Sequence, residues 1–184
     1  MTILDVIRAQ RYDTAGSGML THSALLYALA SVQGSRGCVV ELGVGDLAWS
    51  TKALLEGVKD GCAITGHAPR LYSFDNRDVS DVLHDPFWSF RQEDSVEAAH
   101  RFGPFPSVSL LFIDTDHTYE RTLAELRAWE PALTADAIVC GHDYKSPYPE
   151  YGVERAVQEY VKGTRRWVLQ EFPQENGMFV LWPA

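Results

Sequence analysis

Short apolar runs that stop at an acid or a glycine recur along this chain, with helical patterning between them. The plainest is Val108-Ser109-Leu110-Leu111-Phe112-Ile113, β-rich, uninterrupted, and bounded by Pro106 and Asp114. Cys38-Val39-Val40-Glu41-Leu42 stops at Gly43, Leu71 to Phe74 at Asp75, and Ala137 to Cys140 at Gly141. Strands that are apolar on both faces belong to parallel sheets covered by helices on either side, because only there does neither face meet water. The intervening helices are expected over Ser23 to Ala30, Ser50 to Val58 and Arg121 to Leu133, with Gly61 to Arg70 as a loop. Val153, Ala156, Val157, Tyr160 and Val161 share one further helix face. Phe87 to Gln92 reads as a strand, although Pro86 and the aromatic cluster also fit a loop, and Trp167 to Leu169 and Met178 to Trp182 form a final pair around a turn at Pro173 to Gly177. The expected fold is α/β: a Rossmann-like, doubly wound, mostly parallel sheet of seven strands with one antiparallel strand near the C-terminus.

Charge narrows the function. Lys and Arg total 16 against 25 Asp and Glu, a net charge of −9. Long-range attraction to nucleic acid or an anionic membrane is therefore not expected. The only basic doublet, Arg165-Arg166, reads as a solvated surface pair. Three cysteines, an odd number with none at metal-ligand spacing, point to a reduced, cytoplasmic setting. Met1 to Arg11 has no apolar signal region, and no apolar stretch approaches the roughly 18 residues of a membrane helix.

Ligands of a doubly wound sheet lie outside the carboxyl ends of its strands, so the residues that end each strand are the candidates. The first strand is followed by Gly43-Val44-Gly45, whose glycines allow close backbone approach to a ligand. The second ends at Asp75-Asn76, and the third is followed by Glu93-Asp94-Ser95. The fourth ends at Asp114-Thr115-Asp116-His117, the fifth at Gly141-His142-Asp143-Tyr144. A single such Asp is more often a helix N-cap than a ligand, and His117 alone is an ordinary surface histidine. Five successive ends of this kind on one sheet edge are a stronger signal.

Glu41-Leu42-Gly43-Val44-Gly45 followed by Ser50-Thr51 resembles motif I of the class I S-adenosylmethionine-dependent methyltransferases. Phe112-Ile113-Asp114-Thr115-Asp116-His117, with Trp129 to Leu133 and Ile138 to Tyr144, resembles their small-molecule O-methyltransferase branch, which includes sugar and catechol-type enzymes. The resemblance spans Gly18 to Asp143. It implies one methyltransferase-like domain over residues 1–184: an N-terminal helical cap (1–37), a cofactor-binding core (38–143), and a C-terminal helix and strand pair (144–184). It implies that Glu41, Gly43 and Gly45 serve the methionine part of the cofactor, Asp75 the ribose, and Asp94 and Ser95 the adenine, with Ser50 and Asn76 also binding the cofactor. Asp114 would lie at the methionine end, and His117 matches a general-base position. In metal-dependent members the positions of Asp114, His142 and Asp143 bind a divalent cation, Mg2+ or Mn2+.

Methyl transfer from a sulfonium is a direct displacement, so the enzyme mainly positions the reactants. The hydroxyl proton goes to a base such as His117 or is acidified by a cation. Mg2+ prefers oxygen ligands, whereas a histidine suits Mn2+, Fe2+ or Zn2+ better. His142 is thus either a ligand or a packed, silent histidine, and the residues leave both open. A small-molecule acceptor would meet Tyr12 to His22, including Gly16 and Gly18, and Tyr144 to Tyr151, where Tyr144, Tyr148 and Tyr151 offer ring faces. The other view of those tyrosines is a rigid loop covering the helix at Glu154. A homo-oligomer is one way to cover so short a chain's site. Two rival functions stand beside the favoured one. A NAD-dependent oxidoreductase would place its ribose acid roughly 20 residues past the glycines, but Asp75 lies 32 past Gly43. A non-catalytic domain of the same fold would bind without chemistry.

Overall fold

The computed structural model describes residues 20–68, 70–102 and 107–184. Seven strands form one sheet: β1 (Cys38–Leu42), β2 (Leu71–Asp75), β3 (Trp88–Gln92), β4 (Val108–Ile113), β5 (Leu133–His142), β6 (Trp167–Phe172) and β7 (Met178–Pro183). Their order is β3-β2-β1-β4-β5-β7-β6. β1 to β5 pair in parallel, and β7 runs antiparallel to both β5 and β6. The expected single reversed strand is therefore β7.

The helices are α1 (Leu20–Gln33), α2 (Trp49–Thr65), α3 (Ser95–Phe102), α4 (Tyr119–Trp129) and α5 (Val153–Lys162). Strand periodicity divides the core. Val39, Leu110, Ile138, Cys140 and Val180 pack toward α1 and α2. Their neighbours Val40, Leu111, Val139 and Leu181 pack toward α3, α4 and α5. Both faces are thus dry, which is why β1 and β4 read as unbroken apolar runs.

Several boundaries differ from expectation. α2 continues through Gly57 and Gly61 to Thr65, so the loop expected over Gly61 to Arg70 begins as helix. A Cβ would lie 2.4 Å from the Tyr27 carbonyl oxygen at Gly57, and 2.0 Å from that of Ser31 at Gly61. These glycines admit the backbone of α1 rather than ending α2. α4 stops at Trp129, because Pro131 lacks the donor to continue it; a 3-10 turn over Glu130–Ala132 leads straight into β5. β5 begins at Leu133, four residues early, since Thr134 to Asp136 bulge from the sheet between the Val108–Leu133 and Leu110–Ile138 pairs. α3 was not anticipated. It is eight residues long with only Ser95, Ala98 and Ala99 buried. Among the described residues no helix is long and apolar enough to cross a membrane. The three cysteines are free.

Candidate active site

The carboxyl ends of β1 to β5 surround a cavity of about 650 Å³. Gly43, Gly45, Asp75, Asn76, Asp94 and Ser95 line one part of it. Asp114, His117, His142 and Asp143 line the other. Of the twelve residues singled out from the sequence, only Glu41 and Ser50 do not reach it.

Gly43 and Gly45 have φ of 85° and 66°, in the left-handed region that favours glycine. Gly43 also touches the neighbouring strand end: a Cβ there would sit 1.9 Å from the Asp114 carbonyl oxygen. At Gly45 a Cβ would meet nothing within 4 Å, the open side of the turn. The turn is held by Asp75, whose Oδ2 accepts N–H bonds from Val44 (3.0 Å) and Gly45 (3.3 Å). Its Oδ1 accepts from the Arg77 N–H at 2.9 Å. Burial pushes this carboxyl up, but those three N–H groups and the Arg77 guanidinium outweigh it, and the group is held below its ordinary range.

Glu41 and Ser50 form a layer beneath the turn. The fully buried Glu41 carboxylate accepts hydroxyl bonds from Ser50 (2.6 Å), Thr51 (2.8 Å) and Ser73 (2.6 Å). It thereby joins β1 to β2 and to the first turn of α2. Burial pushes its pKa up to about 7 against the pull of the three hydroxyls.

Asp94 caps α3, accepting from the N–H groups of Val96 (2.9 Å) and Glu97 (3.1 Å) while meeting Arg121 at 2.8 Å. Arg121 also donates to Ser95 Oγ at 2.6 Å and to the buried Glu125 at 3.0 Å. Ser95 and Thr115 hydroxyls both bond to Glu125. This knot fastens the ends of β3 and β4 to α4.

In the other part, His117 Nε2 lies 3.0 Å from Asp114 Oδ1 and 3.2 Å from Asp143 Oδ2. Burial would lower the His117 pKa, but the two carboxylates prevail and raise it. Neutral His117 keeps its proton on Nε2, facing the acids, which leaves Nδ1 with the lone pair. His142 is buried behind, its Nδ1 3.0 Å from Asp143 Oδ2. His22 meets the His142 ring edge-on at 5.2 Å, and burial and that neighbour lower its pKa to about 4. Asn176, from the β6–β7 turn, hydrogen-bonds Asp143. Among the described residues the non-glycine residues with positive φ are Ala48, His117, Asp143, Glu175 and Asn176. His117, Asp143 and Asn176 among them meet within this group. Such strained backbone persists where surrounding contacts over-determine it, commonly at functional sites.

Asp114, His117 and Asp143 are the residues whose donor atoms converge, all within 4.8 Å of one another. His142 stands outside that group and fastens Asp143 from behind. Tyr144 does not offer a ring to an acceptor. It is 1% exposed, packs on Phe179, and donates its hydroxyl to Glu171. The chain turns at Asp143, whose φ is 56°, and Tyr144 is carried into the core. Tyr148 is exposed, and Tyr151 stacks on His117 with centroids 4.5 Å apart. Gly16, Gly18 and the rest of Tyr12 to Met19 lie outside the described residues. Arg77, Arg121 and Asn176 were missed by sequence reasoning. Asn176-Gly177 is a turn signal, but nothing local says which sheet edge the turn reaches.

A parallel sheet of this order closed by one reversed strand, with a glycine turn after β1 clamped by the acid ending β2, has the class I methyltransferase architecture. Residues 40–144, more than half of the chain, match the family model described as a methyltransferase domain, and the chain belongs to that family. No curated protein sequence matches it. Similar solved structures include a Corynebacterium glutamicum protein, 16% identical with a TM-score of 0.75, covering 98% of this chain and 90% of that one. An O-methyltransferase from Bacillus cereus in complex with S-adenosylhomocysteine is 14% identical with a TM-score of 0.72, over 98% and 90% of the two chains. The MycE methyltransferase of the mycinamycin biosynthetic pathway, in complex with Mg and S-adenosylhomocysteine, is 17% identical with a TM-score of 0.66; the match covers 98% of this chain and 55% of that one. At these identities the likeness is one of fold.

Proposed function

We propose that this protein transfers a methyl group from S-adenosylmethionine to a hydroxyl of a small molecule. The observation that carries this is the joining, in one cavity, of the glycine turn clamped by Asp75 with the Asp114, His117 and Asp143 group. The bound ligands of the Bacillus cereus and MycE structures support the same view.

In this reading Gly43 and Gly45 let the methionine portion approach the backbone, over the floor built by Glu41 and Ser50. Asp75 has lone pairs for the ribose diol at Oδ1, where the Arg77 guanidinium contact is a long 3.5 Å. Asn76 borders the ribose; Asp94 and Ser95 border the adenine. The acceptor oxygen attacks the sulfonium methyl carbon as the carbon–sulfur bond breaks, leaving a neutral thioether. The hydroxyl proton passes to His117 Nδ1, and Asp114 and Asp143 stabilise the imidazolium that forms.

The donor set also fits a divalent cation. Asp114, Asp143 and the His117 nitrogen would hold it, a mixed set suited to Mn2+, Fe2+ or Zn2+ more than to Mg2+. Bound there, it would acidify an acceptor hydroxyl directly.

Thermal unfolding with S-adenosylhomocysteine, S-adenosylmethionine or NAD, each with and without Mg2+ or Mn2+, tests the reading. A ligand at about 100 times its Kd adds ~2.7 kcal/mol, or about 5–10 °C for a chain of this size. Shifts with the adenosyl ligands and none with NAD are expected. No shift with either adenosyl ligand overturns the proposal.

A further inference from the structure

We propose that Tyr151 is a positioning residue for His117: its ring, laid on one face of the imidazole, fixes the direction of His117 Nδ1. The proposal rests on the role given to His117 above.

Asp114 and Asp143 grip the imidazole at a single atom, Nε2. A grip at one edge leaves the ring free to swing about that point. A face contact removes this freedom, and Tyr151 supplies one, with centroids 4.5 Å apart and planes 25° from parallel. Tyr151 is itself anchored. Its N–H donates to the Tyr148 carbonyl at 3.1 Å, and the Tyr148 ring packs on it at 5.3 Å. The next residue, Gly152, donates its N–H to the carbonyl of His117 at 2.8 Å. The segment bearing the covering ring is thus fastened to the very residue it covers. A Cβ at Gly152 would lie 2.4 to 2.7 Å from Tyr119 atoms, so a larger residue would lift the segment away. His117 has φ of 63°, a left-handed conformation uncommon outside glycine.

Tyr151 meets His117 through its ring face and not through its hydroxyl. That separates this role from one in which Tyr151 binds an acceptor through its oxygen. It also predicts that phenylalanine will serve.

Diethyl pyrocarbonate, which acylates an accessible neutral imidazole nitrogen, reports the arrangement without any acceptor. The full chain as wild type, Tyr151→Ala and Tyr151→Phe is treated briefly, and modification of His117 and of the exposed His67 is followed by peptide mass spectrometry. His117 should react about fivefold faster in Tyr151→Ala, the population change expected from losing one stacked ring pair. Tyr151→Phe should match wild type, and His67 should react alike in all three. Equal His117 rates in wild type and Tyr151→Ala overturn the proposal, as does Tyr151→Phe reacting as fast as Tyr151→Ala. S-adenosylhomocysteine affinity is measured on the same samples and should change less than about twofold. Its loss in Tyr151→Ala alone would put Tyr151 in the cofactor site and overturn the positioning role. Its absence in wild type would overturn the proposed function while the reactivity result stands by itself.

Discussion

Two glycines of one turn, two residues apart, should respond very differently to the same change. Gly43→Ala and Gly45→Ala each force an L-residue into positive φ, at 85° and 66°. That conformation costs about 1–2 kcal/mol. At Gly45 nothing lies within 4 Å of the new methyl, so this is the whole penalty. At Gly43 the methyl would stand 1.9 Å from the Asp114 carbonyl oxygen and 2.7 Å from its carbon. That neighbour is backbone, held in place by the Asp114 N–H bond to the Leu42 carbonyl at 2.8 Å, and cannot rotate aside. Overpacking of this kind adds about 1–3 kcal/mol. Gly43→Ala should therefore cost ~2–5 kcal/mol and Gly45→Ala ~1–2 kcal/mol. Urea unfolding measures both, with midpoints compared at a common slope. S-adenosylhomocysteine affinity separates them further: Gly45 lines the cavity and its methyl would stand in open space, so it should weaken binding despite its small stability cost. Equal destabilisation, or a larger loss at Gly45, would refute the close-approach account of the turn.

Three other outcomes are expected. Glu41, raised to about 7 by burial, keeps its proton in the folded chain while the unfolded chain has lost it, so its contribution to stability falls as pH rises from about 4.5 to 7 and is flat above. Unfolding free energies of Glu41→Gln and wild type should diverge across that window in favour of the variant, by ~3 kcal/mol at most; a difference independent of pH would contradict this. Tyr144→Phe should lose about 1 kcal/mol with its bond to Glu171 and leave S-adenosylhomocysteine affinity unchanged; weakened binding would return Tyr144 to the cavity. Mn2+ titration followed by electron paramagnetic resonance should find one ion per chain, abolished in Asp114→Asn and weakened about tenfold in Asn176→Ala, which removes one hydrogen-bond partner of Asp143; wild type that binds none leaves His117 as the base alone.

The sheet was legible because β1 and β4 are dry on both faces, and a run such as Leu110-Leu111-Phe112-Ile113 has few other uses. The acids at the strand ends were legible for a related reason: in a buried strand the first polar residue marks where the chain leaves the core. What lay hidden depended on contacts distant in sequence. Gly61 looks like a helix stop until Ser31 is brought against it. Asp94 looks like a ligand, and it also caps a helix whose apolar content is too small to announce itself. Glu41 and Asp75 are both acids beside the glycine turn, yet they face opposite ways: one is sealed among hydroxyls, the other is at the cavity wall. Arg121, seven residues past Asp114, was unremarkable until the folded knot of Asp94, Ser95 and Glu125 gave it a place.

The reversed strand bears on the order in which a ribosome makes this molecule. Because β7 runs against its neighbours, its beginning lies at the cavity edge, with Met178 beside His142. The turn before it carries Asn176 to Asp143, across 33 residues of chain. Translation therefore delivers every strand-end acid early and the Asn176 bond to Asp143 late. A nascent chain stopped before Asn176 would hold the first five strands with β5 as an open edge, prone to the wrong pairing.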